Sequence, residues 1–365
     1  MTIGLLHFPI LVQEAIVQNM RLLEAFILST LSKKTFRTVS LSFRRQNFDL
    51  MYNVKGLFRL EKVPYLNEDS EFKIELIEYQ KKEDIYKRPD PNVLPVQVLE
   101  KLVGVFSPKE ITEFIISLLR NVRLMLAIKS TNVETFRNVL EIFKPIKEID
   151  EIEILRPIDS KHDDDELTRL VLEEARCAKV LRTDLKTTSN FTYDYTKNEP
   201  FSFDVISWFA GRWITKNHIL TLFMNCKAVS LPEIDYEDAE IAEILQKWKE
   251  GSKLEWFRIS RCKLRKPDLL TNLVKHFPGA TPIRKAQVNI YDQRDLLVID
   301  FRDDTCFMVQ RHDGTEFLVY FIGSLAGFTK DFKIGEDIDG METDPENDYL
   351  NEDADYDESE DEEDD

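Results

Sequence analysis

Apolar residues recur at helical spacing near the amino terminus of the chain and predict three short helices. The first helix opens at Pro9, because a proline at the start of a helix loses only an amide that would have no partner there. Ser32 is a suitable N-cap for the third helix. A unit of about 35 residues cannot bury so many apolar side chains, so we expect another protein or the rest of the chain to cover the excess. The stripes that create this excess are Leu11, Val12, Ala15 and Ile16 in the first helix and Leu22, Leu23, Phe26 and Ile27 in the second.

Residues 46–107 combine strand-like alternation with a proline-rich linker. The stretch 49–63 predicts a strand or a hairpin with a turn or bulge at Gly56. The stretch 71–76 alternates apolar and charged residues, so one of its faces is expected to lie on a core. Several prolines between residues 87 and 95 indicate an extended linker.

From Pro108 onward, helical and strand-like segments alternate. Neighbouring predicted strands lie roughly 26 to 28 residues apart, with one interval near double that length, and this period is typical of leucine-rich-repeat-like solenoids. An ordinary α/β sandwich with coincidental spacing is the alternative. The predicted strands are 123–128, 150–155, 178–185, 227–231 and 253–259, and the helices between them include 109–121, 133–143, 216–224 (capped by Thr215) and 236–249 (capped by Asp235).

The negative charge of the chain lies entirely in its carboxyl-terminal tail. The formal net charge is −18, and residues 335–365 hold 18 acidic residues and no lysine or arginine. Residues 1–334 are therefore neutral, which argues against nucleic-acid binding because phosphate contacts require a basic face. By composition the tail is expected to be disordered and to favour solubility. Ser359 precedes three acidic residues and is a candidate phosphorylation site.

The remaining composition favours a cytoplasmic or nuclear protein. Four cysteines are widely separated and include no Cys-x-x-Cys pair, which indicates reduced thiols. No run of 18 apolar residues is present, so we expect no membrane span. The first 20 residues do not have the pattern of a signal peptide.

The motifs of common enzyme classes are absent from the sequence. There is no glycine-rich phosphate loop, no Gly-x-Ser-x-Gly and no His-Glu-x-x-His. His162 lies beside three aspartates, 163–165, which could bind a hard cation but are more typical of a solvated helix start. Trp208, Phe209 and Trp213 form an aromatic patch that is expected to be core. We therefore expect no catalytic residue, no metal site and no cofactor.

The helical head, residues 1–45, resembles an F-box. The resemblance rests on apolar positions in all three helices, on the Phe8-Pro9 step, and on the polar residues that lead into the third helix. A helical cap that packs only against its own chain is the alternative. The matching residues are Leu5, Phe8, Pro9, Leu11, Val12, Glu14, Ile16, Met20, Glu24, Leu28, Ser29, Ser32, Lys33 and Lys34.

The carboxyl-terminal half is similar to the F-box-associated domain of the large nematode F-box family. The segments that carry the similarity are Asn-Cys-Lys at 225–227, Gln-Lys-Trp-Lys-Glu-Gly at 246–251, and Leu-Glu at 254–255. The second segment stands where the family usually has Lys-x-Trp-x-x-Gly. Residues 311–315 resemble the closing hairpin of that family, and their Asp-Gly pair independently predicts a β-turn between two strands.

These resemblances imply a substrate adaptor of an SCF-type ubiquitin ligase. The head would bind a Skp-type adaptor, and through it a cullin, while the α/β domain would bind a protein substrate of unknown identity. The chain would then catalyse nothing and would act by proximity. The residues expected to bind the adaptor are Leu5, Phe8, Pro9, Ile10, Leu11, Val12, Ile16, Leu28 and Leu31.

The predicted architecture is α/β, with the F-box-like head followed by a strand–helix solenoid, a closing β-hairpin and a disordered acidic tail. Its four parts are the head at 1–45, a β-rich segment and linker at 46–107, the associated domain at 108–330, and the tail at 335–365. A repeat-type interaction scaffold without a role in ubiquitin transfer is the alternative function. The head distinguishes the two, because a scaffold has no need of a partly exposed apolar cap.

Overall fold

A computed structural model gives the fold as two compact units, residues 1–161 and 162–365. The described residues form eight α-helices and mixed β-sheets, which confirms the predicted α/β class. The structure describes residues 5–54, 57–63, 71–75, 93–95, 107–144, 146, 148–158, 160, 163–231, 236–259, 277, 279–290, 295–300, 306–322, 325–334 and 342–343.

Unit 1 begins with the three predicted helices. A 3₁₀ turn at Leu5–His7 precedes α1 (Ile10–Gln18), α2 (Leu22–Thr30) and α3 (Lys33–Ser42). Ser32 caps α3 as predicted, because its side chain accepts a hydrogen bond from the Thr35 amide at 3.2 Å.

The sheet of unit 1 contains both parallel and antiparallel strand pairs. Its order is β6-β5-β1-β2-β3-β4. The β1–β2 hairpin is antiparallel, as the alternation predicts, whereas β5 and β6 run parallel to β1. The strands are β1 (Asn47–Asn53), β2 (Leu57–Val63), β3 (Glu71–Glu75), β4 (Val93–Pro95), β5 (Val122–Ile128) and β6 (Ile149–Ile154), with α4 (Pro108–Leu118) and α5 (Val133–Phe143) around β5.

Part of the predicted linker is a strand. Val93–Pro95 pairs parallel with β3 and is the outermost strand of the sheet. A proline is tolerated there because the outer edge of such a strand has no neighbour that requires a backbone N–H donor. The prolines at 89 and 91 lie outside the described residues, as does Leu76 of the predicted strand 71–76. Ile74 is buried as expected.

Aromatic side chains join the helical head to the rest of unit 1. The ring of Phe114 in α4 makes edge-to-face contacts with Phe26 of α2 and Phe36 of α3, with centroid distances of 5.6 and 5.7 Å. Leu22, Leu23 and Phe26 of the second predicted stripe are buried. The head is thus anchored through α2 and α3.

Unit 2 begins with strands and helices that alternate along the chain. Strands β7 to β10 are neighbours in sequence order and all run parallel. The elements are α6 (Asp165–Glu174), β7 (Ala178–Thr183), β8 (Val205–Trp208), α7 (Lys216–His218, continued by a π-helical turn at Ile219–Phe223), β9 (Ala228–Leu231), α8 (Asp238–Glu250) and β10 (Trp256–Ile259).

Strand β8 explains the doubled interval in the sequence pattern. The strands of this set start at residues 178, 205, 228 and 256, which are 27, 23 and 28 residues apart. The four residues of β8 are too few for an alternation signal, so the sequence pattern left them without an assignment. The predicted cap of α8 was also wrong, because Glu237 rather than Asp235 occupies the N-cap position.

Antiparallel strands complete unit 2. The predicted closing hairpin is confirmed as β14 (Cys306–Gln310) and β15 (Glu316–Ile322), and Gly314 takes the positive φ of 82° that its turn requires. The sheet continues in the order β10-β16-β15-β14-β11, and a second sheet has the order β17-β12-β13-β18. The further strands are β11 (Thr281–Pro282), β12 (Lys285–Ile290), β13 (Asp295–Asp300), β16 (Leu325–Thr329), β17 (Phe332–Ile334) and β18 (Glu342–Thr343).

Strand β18 corrects the prediction of a wholly disordered tail. Glu342 and Thr343 pair in parallel with Val298 and Ile299 of β13. Residues 344–365, which include Ser359, lie outside the described residues.

The predicted aromatic patch divides between core and surface. Trp208 and Trp213 are buried with their ring centroids 5.5 Å apart, whereas Phe209, directly after β8, is exposed. Alternation along the chain places Phe209 on the opposite side from Trp208.

Candidate protein-docking surface

Helix α1 buries a glutamine and leaves much of its apolar stripe exposed, unlike an ordinary amphipathic helix. Gln13 and Val17 are its buried residues, and Gln13 is only 7% exposed. Leu11, in contrast, is 74% exposed. A surface helix usually turns its apolar stripe towards the core, so α1 leaves this stripe available for another contact.

Polar contacts hold α1 in this orientation. The Gln13 side chain donates from Nε2 to the Phe8 carbonyl oxygen at 2.6 Å and accepts from Thr38 Oγ1 at 3.3 Å. One turn later, Gln18 Nε2 donates to the carbonyl oxygen of Ser42 at 2.9 Å. Because buried amides need partners, these bonds specify which face of α1 meets α3.

Pro9 sets the start of the helix. Its backbone is extended, with φ −55° and ψ 148°, and its carbonyl oxygen accepts hydrogen bonds from the amides of Val12 and Gln13 at 2.9 and 3.1 Å. The helix therefore begins at Ile10, one residue later than the proline-first pattern predicts. This start places Ile10, Leu11 and Val12 in the exposed first turn.

An open apolar groove runs along the exposed stripe. Four side chains of α1 and one from the α1–α2 turn supply its apolar lining, while an amide and a carboxylate complete it. The lining residues are Leu11, Val12, Ala15, Ile16, Asn19, Met20 and Glu24.

Glu24 is the one charged residue among those that line this groove. Glu24 is engaged at the start of α2, where it accepts a hydrogen bond from the Arg21 amide at 3.3 Å. Glu14 lies 3.9 Å from Arg44 across the helical head. The centre of the groove is therefore suited to apolar side chains of a partner.

The structure brings only some of the nine predicted adaptor-binding residues into the groove. Leu11, Val12 and Ile16 line it, Pro9 and Ile10 are exposed beside it at the start of α1, and Leu31 is 63% exposed after α2. Leu5, Phe8 and Leu28 are half-buried and are less available. We call the exposed residues Pro9, Ile10, Leu11 and Val12, together with the half-buried Ile16 that lines the groove, the α1 face.

Ala15 and Met20 belong to the groove although the predicted adaptor-binding set omits them. Ala15 lies four residues after Leu11, and Met20 four residues after Ile16, so both follow the same helical stripe. The i, i+4 spacing was the signal that could have identified them.

Side chains that might suggest chemistry have structural partners instead. Asp164 Oδ2 accepts from the Lys186 amide at 3.2 Å, and Asp165 accepts from both the amide and the hydroxyl of Thr188. Burial raises the pKa of the Cys226 thiol to about 12, which keeps it protonated at neutral pH.

The part of the chain that the structure describes contains neither a cluster of metal-ligating side chains nor a membrane-spanning helix. No group of three or more histidine, cysteine, aspartate or glutamate side chains there could hold a metal ion. Within the same residues, every helix is too short or too polar to cross a bilayer.

No family model, curated protein or solved structure matches this chain.

Proposed function

We propose that this chain is the substrate-recognition adaptor of an SCF-type ubiquitin ligase. In this role the helical head acts as an F-box that binds a Skp-type adaptor, and through it a cullin. The observation that carries the proposal is the exposed apolar first turn of α1, where Leu11 faces solvent while Gln13 is buried. A cap that served only its own chain would gain stability with the opposite orientation.

The α1 face offers enough apolar surface for such a contact. Full burial of a leucine, valine or isoleucine side chain contributes about 1.5–3 kcal/mol. Leu11, Val12 and Ile10 are the anchors in this proposal, because they are the most exposed apolar residues of α1. A few anchors of this kind dominate typical interfaces of roughly 1,600 Å².

Unit 2 binds the protein substrate in this proposal. Its run of parallel strands β7 to β10 fits the leucine-rich-repeat-like solenoid inferred from the sequence period. Holding a substrate near a charged ubiquitin-conjugating enzyme replaces a bimolecular encounter by a local one. The chain itself would carry out no reaction, and it would act in the cytoplasm or the nucleus.

Co-purification with a Skp-type adaptor tests the proposal. The variant L11D/V12D places two charges on the α1 face, and we expect it to lose the adaptor while the intact chain retains it. Ile158→Asp is the matched control, because Ile158 is 92% exposed in the same unit but lies outside the α1 face.

Two outcomes would contradict the proposal. If the intact chain does not bind the adaptor, or if L11D/V12D binds as well as Ile158→Asp does, the α1 face is not an F-box surface. A chain that captures a protein target but no adaptor would instead be the repeat-type scaffold.

A further inference from the structure

Three loops and a hairpin turn enclose a polar cavity of about 470 Å³ in unit 2. The loops precede strands β8, β9 and β10, whose amino ends lie side by side because the strands are parallel neighbours. The turn between β14 and β15 and the residue after β16 also line the cavity. We call this cavity the strand-base pocket, and its polar lining residues are Ser202, Asp204, Asn225, Lys227, Ser252, Lys253, Glu255, Arg311, Asp313, Thr315 and Lys330.

The pocket gathers segments that the sequence analysis singled out separately. Asn-Cys-Lys at 225–227, Leu-Glu at 254–255 and the turn at 311–315 each contribute to its wall. Neither the helical head nor its proposed adaptor uses these residues, which belong to the other unit.

Cations outnumber anions in the pocket. It contains the ammonium groups of Lys227, Lys253 and Lys330 and the guanidinium of Arg311, against the carboxylates of Asp204, Glu255 and Asp313. Two of the lysines share one carboxylate, because Glu255 forms ion pairs with both Lys227, at 3.7 Å, and Lys330. One carboxylate does not neutralise two ammonium groups, so this part of the pocket keeps a positive charge.

Arg311, at the start of the hairpin turn, contacts two aromatic rings and forms two hydrogen bonds. Its guanidinium lies 5.8 and 5.5 Å from the ring centroids of Trp248 and Phe317, and Nη1 donates to the Ser252 carbonyl oxygen at 3.0 Å. Nη2 donates to Asp313 at 2.9 Å. The Asp313 carboxylate also accepts from the Thr315 amide, which lowers its pKa and keeps it paired with Arg311 as an anion.

Lys253 is the cation that remains for a ligand. Among the described residues its ammonium makes no ion pair and no hydrogen bond, and the Asn225 side-chain amide and the Ser202 hydroxyl, which line the same pocket, also have no partner there. These groups provide one charged and several neutral donors. Asp204 is the opposing carboxylate in the lining, and it disfavours a second anionic group near the β8 loop.

We propose that the strand-base pocket binds one carboxylate or phosphate group, with Lys253 as the charged donor and Asn225 and Ser202 as neutral donors. An oxyanion is the ligand that an ammonium and convergent N–H and O–H groups favour. The group comes either from the acidic residues 344–365 of this chain or from a separate molecule. This proposal does not depend on what the helical head binds.

Calorimetric titration of the full chain with inorganic phosphate and with glutarate tests binding from solution. We expect saturable binding of at least one probe, and Lys253→Gln is expected to weaken it about tenfold because a charge-assisted hydrogen bond is lost. Lys197→Gln makes the same charge change at a lysine that is 82% exposed in unit 2, and it should bind like the original chain.

Carbodiimide cross-linking of the full chain distinguishes the two sources. Occupancy by the chain's own acidic residues is expected to link Lys253 to residues 344–365 at least about five times more often than Lys197, and added phosphate should reduce that link. A separate ligand would instead give direct binding of the probes without the preferential link.

The proposal fails if neither probe binds and Lys253 shows no preferential cross-link. It also fails if Lys253→Gln and Lys197→Gln weaken probe binding equally, because binding would then depend on the net charge of the protein and not on Lys253. Lys253 is exposed, so loss of folding is not expected, and the thermal melting curve of each variant checks this.

Discussion

The ring of His218 accepts a hydrogen bond at the start of α7, the helix that Thr215 caps. Its Nδ1 accepts from the Thr215 amide at 3.1 Å and lies 2.8 Å from the Thr215 hydroxyl. Because an amide N–H can only donate, Nδ1 carries no proton, and Nε2–H donates to the Tyr193 carbonyl oxygen at 2.7 Å. The neutral ring therefore joins the start of α7 to the loop that contains Tyr193.

This arrangement predicts that unit 2 loses stability in mild acid. Burial lowers the pKa of His218 below its ordinary value of 6.5, so the unfolded chain binds a proton more readily than the folded chain. The stabilisation is complete above pH 6.5 and is lost progressively as the pH falls below that value. Urea unfolding at pH 7 and at pH 5 should show a larger drop for the original chain than for His218→Asn.

The comparison of the original chain with His218→Asn isolates the contribution of His218. Equal drops in the free energy of unfolding would show that its protonation does not affect the fold.

Truncation should destabilise the protein on the buried face of α1 and have little effect on its exposed face. Val17 is fully buried, so Val17→Ala should lower the free energy of unfolding by about 1–2 kcal/mol. Leu11→Ala removes more carbon atoms from an exposed position and should change it by less than about 0.5 kcal/mol. Urea unfolding followed by circular dichroism measures both, and a larger effect of Leu11→Ala would mean that the α1 face is packed within the chain.

Asp49 and Arg123 form a bidentate ion pair between the neighbouring parallel strands β1 and β5. Arg123 donates from Nε to Oδ1 at 2.7 Å and from Nη2 to Oδ2 at 2.5 Å, and the two residues are partners in the strand register. Asp49 is buried, whereas the side chain of Arg123 is 49% exposed, and water therefore screens the pair.

We expect Asp49→Asn to destabilise unit 1 by about 1–2 kcal/mol, mainly through the lost charge-assisted hydrogen bonds. A double-mutant cycle with Arg123→Gln should give a coupling free energy of about 1 kcal/mol. Additive effects of the two substitutions would show that the pair contributes nothing beyond its separate residues.

Gly327 is required by the close approach of two strands. A Cβ there would lie 2.6 Å from the Phe257 carbonyl oxygen and 2.9 Å from the Tyr320 ring, so Gly327→Ala should cost about 1–3 kcal/mol. Gly314→Asn is the matched comparison, because Gly314 has open space and a left-handed φ that asparagine tolerates. Thermal melting should separate the two variants clearly, and equal melting temperatures would contradict the packing argument.

The local order of helices and strands followed closely from the sequence. Helix Val133–Phe143 and the hairpin around Gly314 were predicted at or near their observed bounds, because periodicity and turn residues are local signals. Strand β8 and the strands β11 to β13 were missed, since short or weakly alternating segments depend on neighbours that only the sheet supplies.

The sequence by itself determined that α1 has an apolar stripe and that the strands of the carboxyl-terminal half recur at a regular interval. Only the tertiary structure decided that the stripe faces outward, because the buried hydrogen bonds of Gln13 reach Phe8 and Thr38 across the head. Likewise, Lys227, Lys253 and Arg311 share one pocket only because parallel pairing aligns their loops under a hairpin turn. Periodicity records which residues lie on one face of an element, whereas long-range packing determines what that face meets.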